Sequence, residues 1–205
     1  MSDAEKAADA WAWVTALEAG APDIVSAWNG IEPDLVETVQ QEARRVAHPG
    51  STASLVDQLG ALAEALGAFV AAAPDSTLRL PGGEDDWNVA QTIGHACDAR
   101  AGLALAASRA ASGRWPADAP TVVPVGVPGA PDTGRDRLLE RIARSQCLIE
   151  RAGRSVAGHE TDPCPLDHPV VGRLRCGEWL VFAGIHDLLH LEQLHGIATG
   201  ATLRT

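Results

Sequence analysis

The chain has 205 residues, enough for one domain with a sizeable core, and a formal charge of −11 with Lys6 as its single lysine. An acidic chain without a basic stripe is repelled by phosphate backbones, so a nucleic-acid partner is not expected. Ala, Leu and Gly dominate, Tyr is absent and Phe is rare, which argues against a mostly β protein and for helices.

Residues 4–18 read as a helix stopped by Gly20-Ala21-Pro22. Pro33 suits the first turn of a second helix that runs to about Ala47 and ends at His48-Pro49-Gly50. Residues 54–72 carry Leu55, Leu59, Leu62, Leu66 and Phe69 at helical spacing, and Ala73-Pro74 closes them. After the polar turn Pro81–Asp86, Asn88 reads as an N-cap with Gln91 completing a capping box, and its helix should reach about Ala111. Residues 114–134 hold five prolines and three glycines and form a long irregular connection. Residues 135–156 are an amphipathic helix with Leu138, Ile142 and Ile149 inward and four arginines outward. A second Pro-rich loop spans 158–172, and the last helix covers about Gly177 to Ala198.

This order predicts an all-α protein: a four-helix bundle over 51–205, with residues 1–50 as an extra N-terminal helical pair packed on it. The connection at 114–134 is too long for a tight hairpin and permits a crossover. The chain has no apolar run of about 18 residues or more, and its polar N-terminus lacks a basic stretch followed by an apolar one. No membrane span or secretory signal is expected, and cytoplasmic residence follows by default. Cys97, Cys147, Cys164 and Cys176 form no C-x-x-C pair and are expected to be free thiols.

The chemistry concentrates in the histidines. At about 100° per residue, His190 lies about 40° from His186 on the last helix, and Gln193, Trp179 and Phe182 share that direction. Two imidazoles thus interrupt a bulky apolar stripe, where a charged ring is poorly tolerated and a neutral metal-bound one is satisfied. Spacing alone leaves open two core histidines hydrogen-bonded to backbone or to Gln193. His95 sits two turns beyond the Asn88 cap, and Cys97 and Cys176 point away from the histidine directions. Cys164 and His168 share a loop but lack the further ligands that a zinc site needs. The run His186-Asp187-Leu188-Leu189-His190 is not H-E-x-x-H. The longer metzincin pattern also fails, because Gln193 and Gly196 stand where it needs glycine and histidine.

Two motifs together, Trp87-Asn88-Val89 followed by His95, and His186-x-x-x-His190-x-x-Gln193 in the last helix, resemble the DinB/YfiT-like superfamily of bacterial four-helix-bundle metalloproteins. The resemblance covers about residues 54–198. It implies a divalent ion, often zinc or nickel, held by three histidines or by two histidines and an acid, which carries over to His95, His186 and His190, and it implies a homodimer. Beside these, Gln193 is a candidate to orient a ligand or to make only a helix-face hydrogen bond, and Asp98 and Asp187 are candidates for support of the site or for solvated surface ion pairs. The resemblance further implies a metal-dependent enzyme on a small molecule: a low-molecular-weight-thiol S-transferase or thiol-dependent isomerase, related to bacillithiol and mycothiol transferases and to mycothiol-dependent maleylpyruvate isomerase. A hydrolase using a metal-bound hydroxide, and a non-catalytic stress or binding protein, stand as alternatives.

Overall fold

The computed structural model describes residues 12–32, 36–124 and 126–199. Residues 12–18 are the described part of α1; the rest of the helix expected at 4–18, and the turn at Pro33, lie outside the described residues. Six further helices follow: α2 (Pro22–Gly30), α3 (Val36–Val46), α4 (Thr52–Ala72), α5 (Val89–Ala111), α6 (Arg135–Val156) and α7 (Cys176–Thr199). A two-stranded antiparallel hairpin, β1 (Pro163–His168) and β2 (Gly172–Arg175), stands immediately before α7.

Helices α4 to α7 form a four-helix bundle. Helix α4 packs on α6 and α7, and α5 packs on α6 and α7, so α4 faces α5 across a diagonal. Neighbouring residues give the directions. Arg141 donates to the Gly94 carbonyl and Arg100 to Gln146, so α5 and α6 run parallel. Gly82, just ahead of α5, lies against Ile197 near the end of α7, so those two helices are antiparallel. The segment 112–134 therefore joins parallel neighbours and must travel the length of the bundle, about 34 Å for a 23-residue helix. That is the crossover its length permitted. Among the described residues α4 alone is long and apolar enough to cross a membrane by length and composition, but Leu55, Leu59, Leu62, Leu66 and Val70 are its buried core seam.

Two elements differ from the sequence expectation. Gly20-Ala21-Pro22 ends one helix but also opens another, because Pro22 is tolerated in a first turn that lacks a use for its N–H. Ala21 has no side chain to cap it, and Gln58 of α4 supplies the acceptor instead, taking bonds from the Asp23 and Ile24 amides at 2.9 and 3.1 Å. The segment read as a second Pro-rich loop, 158–172, contains β1 and the turn of the hairpin. A two-stranded ribbon is all edge, so Pro163 and Pro165 cost it no central ladder bond. The crossover segment adds to this ribbon: Val123 donates to the Asp167 carbonyl at 2.8 Å, and Asp167 donates to that of Thr121 at 2.7 Å.

Helices α2 and α3 pack on each other and on α7, with Ile24 against Gly184 and Arg44 paired with Glu178 at 3.1 Å. They close one side of the space between α5, α7 and the hairpin.

Candidate metal centre

His95 is positioned by the start of α5. The capping box read from the sequence is present in both directions: Gln91 N–H donates to Asn88 Oδ1 at 2.9 Å, and Asn88 N–H donates to Gln91 Oε1 at 3.1 Å. The crossover segment is laid over this first stretch. Gly129 N–H donates to the Gln91 carbonyl at 3.0 Å, and Asn88 Nδ2 donates to that of Pro131 at 3.0 Å. Backbones meet here: a Cβ on Gly94 would stand 2.8 Å from Gly129 Cα. This close approach brings the Val127 carbonyl to 3.2 Å from His95 Nδ1.

His186 and His190 are one turn apart on α7, with ring centroids 4.4 Å from each other and 5.2 and 5.1 Å from that of His95. One ring nitrogen from each of the three lies within 4.8 Å of the others. The hydrogen bonds assign the tautomers. His95 Nδ1–H donates to Val127, and His190 Nδ1–H donates to Gln193 Oε1 at 3.1 Å, which leaves both Nε2 lone pairs bare. His190 Nε2 then faces His186 Nε2 at 3.2 Å. Two nitrogens bound tetrahedrally at zinc–nitrogen lengths stand roughly 3.3 Å apart. The donor set and spacing therefore fit a divalent ion. Burial, then the neighbouring histidines, holds the His186 imidazole well below its ordinary 6.5. Burial and His95 lower His190 to about 4 against the opposing bond to Gln193. Near pH 7 both are neutral, the form that ligates. His186 Nδ1 is buried and meets no protein partner among the described residues.

The three supporting candidates are placed differently. Gln193 touches His190, as the shared helix face implied. Asp98 is exposed and pairs with Arg141 at 2.7 Å. Asp187 lies in the core, where Arg100 binds its Oδ2 at 2.6 Å, and both side chains are fully buried. Arg100 also donates to the Leu59 carbonyl and Gln146 Oε1, so this pair ties α7 to α5, α4 and α6. Among the described residues no hydrogen bond joins Asp98 or Asp187 to an imidazole; each is engaged in its ion pair instead.

A cavity of about 890 Å³ opens on the centre, with His95 and His186 on its wall. It runs between α5 and α7 and is closed by Trp28, Ile31 and Val39 of the N-terminal helices, by the crossover segment and by the hairpin. His168, discounted in the sequence as a loop residue, is on its wall. The Val170 and Val171 amides donate to His168 Nδ1 at 3.2 and 3.3 Å, so Nε2 carries the proton when the ring is neutral. Its ring packs against Phe182 at 5.0 Å, which in turn packs against His186 at 6.4 Å. Burial lowers its pKa. No sequence signal could have found it: His168-Pro169 reads as loop, and only the hairpin turns it inward. Cys164 is buried, and among the described residues it joins no metal-ligating group with His168. The four cysteines are unpaired, and burial pushes the Cys97 thiol up to about 11 and Cys176 to about 12.

Comparison with curated proteins and with solved structures returned no match. A family model described as the DinB superfamily matches residues 58–194, which takes in nearly all of the bundle and all three histidines and leaves α1–α3 outside. The chain belongs to the DinB superfamily.

Proposed function

We propose that this protein is a metal-dependent enzyme acting on a small organic molecule, with zinc or nickel on His95, His186 and His190, and that it is a thiol S-transferase or thiol-dependent isomerase. The observation that carries the reading is the convergence of three imidazoles, with the hydrogen bonds of His95 and His190 turning their Nε2 lone pairs inward, beside a large cavity. A divalent ion at that spot supplies a positive charge that lowers the proton affinity of a thiol or water beside it.

The chain's own groups do the rest. Val127 and Gln193 hold the rings of His95 and His190 in ligating orientation. His168 offers an Nε2–H donor to a substrate atom developing negative charge. The wall is mostly apolar, which supports transfer between organic groups over hydrolysis. Among the described residues no unpaired carboxylate on the cavity wall stands ready as a base for water, since Asp98 is held by Arg141 and Glu192 has an interaction of its own.

The test is a thermal-shift screen of zinc- and nickel-loaded protein against low-molecular-weight thiols, followed by product analysis with a generic electrophile. A raised melting point with one thiol and a thioether product support the reading. Melting points unmoved by every thiol, with hydrolysis of activated esters instead, would replace it with the hydrolase.

A further inference from the structure

The walls of the cavity describe the molecule that it takes. Among the described residues six large apolar side chains are exposed, and five of them, Leu105, Val122, Val127, Val170 and Leu189, line this one cavity. Exposed apolar groups scattered singly need no explanation, but five around one mouth do. Leu103, Val123 and Phe182 line the same cavity, so most of its wall is apolar.

Charge is confined to one place. Asp98 is neutralised by Arg141, and Glu192 is engaged and 9% exposed. Arg109 makes no ion pair among the described residues and is exposed on the cavity wall in the last turn of α5. It stands 14 residues after His95 on the same helix, roughly 21 Å along the axis. A mostly apolar cavity that carries His95 and His186 on its wall, with one free guanidinium about four helical turns from His95, selects for shape and charge together.

We propose that the cavity binds a slender amphipathic organic acid, its anionic head on Arg109 and its apolar body along α5, so that the end away from the acid reaches the three-histidine centre. The role of that far end rests on the reading of the histidines as a reactive metal site; the binding mode does not.

The test is isothermal titration of the full chain with hexanoate, octanoate and decanoate, and with decanol as the neutral control. The parent is compared with Arg109→Gln and with His186→Ala, and metal content is measured on each sample. Affinity should rise about fourfold per added methylene. Arg109→Gln should weaken decanoate about tenfold or more and leave decanol unchanged, while His186→Ala keeps the preference for the acid. Arg109 is exposed, so its variant should melt with the parent. Equal affinity for acid and alcohol would overturn the proposal. So would loss of the acid preference in His186→Ala rather than in Arg109→Gln, which would put the carboxylate on the metal. No binding at all, with a dimer that Val170→Ser/Leu189→Ser converts to monomer, would assign the rim to a second copy of the chain. Acid binding in protein that holds no metal would sustain this proposal while the metal reading fails.

Discussion

Removing one partner of the Arg100–Asp187 pair should be among the most damaging single changes in this protein. Both side chains are 0% exposed, and Arg100 Nε and Asp187 Oδ1 have no partner among the described residues, so the pair is not fully compensated even when intact. Asp187→Ala leaves a guanidinium in the core with only the Leu59 carbonyl and Gln146 Oε1 to satisfy it. Breaking a buried pair in this way costs about 3–5 kcal/mol, and here the two surviving bonds set the lower part of that range. In a chain of this size each kcal/mol lowers Tm by about 2–4 °C, so a drop of roughly 6–16 °C is expected. Replacing both, as Arg100→Met/Asp187→Leu, removes the stranded charge and should recover most of the loss. Urea unfolding followed by Trp fluorescence, at unchanged m, reads the cycle. Because Asp187 adjoins His186, and Arg100 lies on the helix of His95, the single variant should also bind zinc more weakly. A loss below about 1 kcal/mol for Asp187→Ala, or a double variant as unstable as the single, would refute the claim that this pair clamps α5 to α7.

Other changes probe the centre more locally. Gln193→Leu removes the acceptor that fixes the His190 ring, so zinc affinity measured by chelator competition should fall about 10- to 100-fold with little change in Tm. Gly94→Ala puts a methyl against Gly129; the crossover segment must move, costing about 1–3 kcal/mol in denaturant unfolding and loosening Val127 from His95. In metal-free protein the lowered pKa values of His186 and His190 mean that the unfolded chain binds protons first. Their contribution is therefore complete above about pH 6.5 and is lost as pH falls toward about 4, and thermal melts across that range should show a shallower slope in His190→Gln. Glu160 titrates below its ordinary 4.5 because, although burial raises it, bonds from Thr52 Oγ1 and backbone amides outweigh that cost. Its contribution is present above about pH 4.5 and lost as pH falls through its folded value, and Glu160→Gln should flatten that part of the melting profile.

The parts of this molecule legible in its sequence are those set by short-range geometry. The Asn88–Gln91 box, the i, i+4 pair at 186 and 190, the tie from Gln193 to His190 and the buried leucines of α4 all follow from helical spacing. The convergence of His95 with the other two does not, since it depends on how α5 meets α7; the resemblance supplied it. Pro22 showed how one residue both stops a helix and starts another, with the cap for α2 supplied by Gln58 from more than thirty residues away. The hairpin was hidden because prolines that break a central strand are harmless in a two-stranded ribbon. Asp187 reads from the sequence as support for His186 or as a surface ion-pair residue, because nothing local marks its buried partner: Arg100 is 87 positions upstream. His168 and the cavity it lines are products of tertiary assembly, as is the part played by α2 and α3 in closing it.

Stoichiometric metal is the most direct test of the three-histidine centre. Elemental analysis of the purified full chain, after loading with zinc or nickel and removal of free ion, should give about one ion per chain. It should give only trace metal in His186→Ala and in His95→Ala variants that melt cooperatively. Equal, trace metal in the parent and both variants, or full occupancy retained in the variants, would contradict the three-histidine centre.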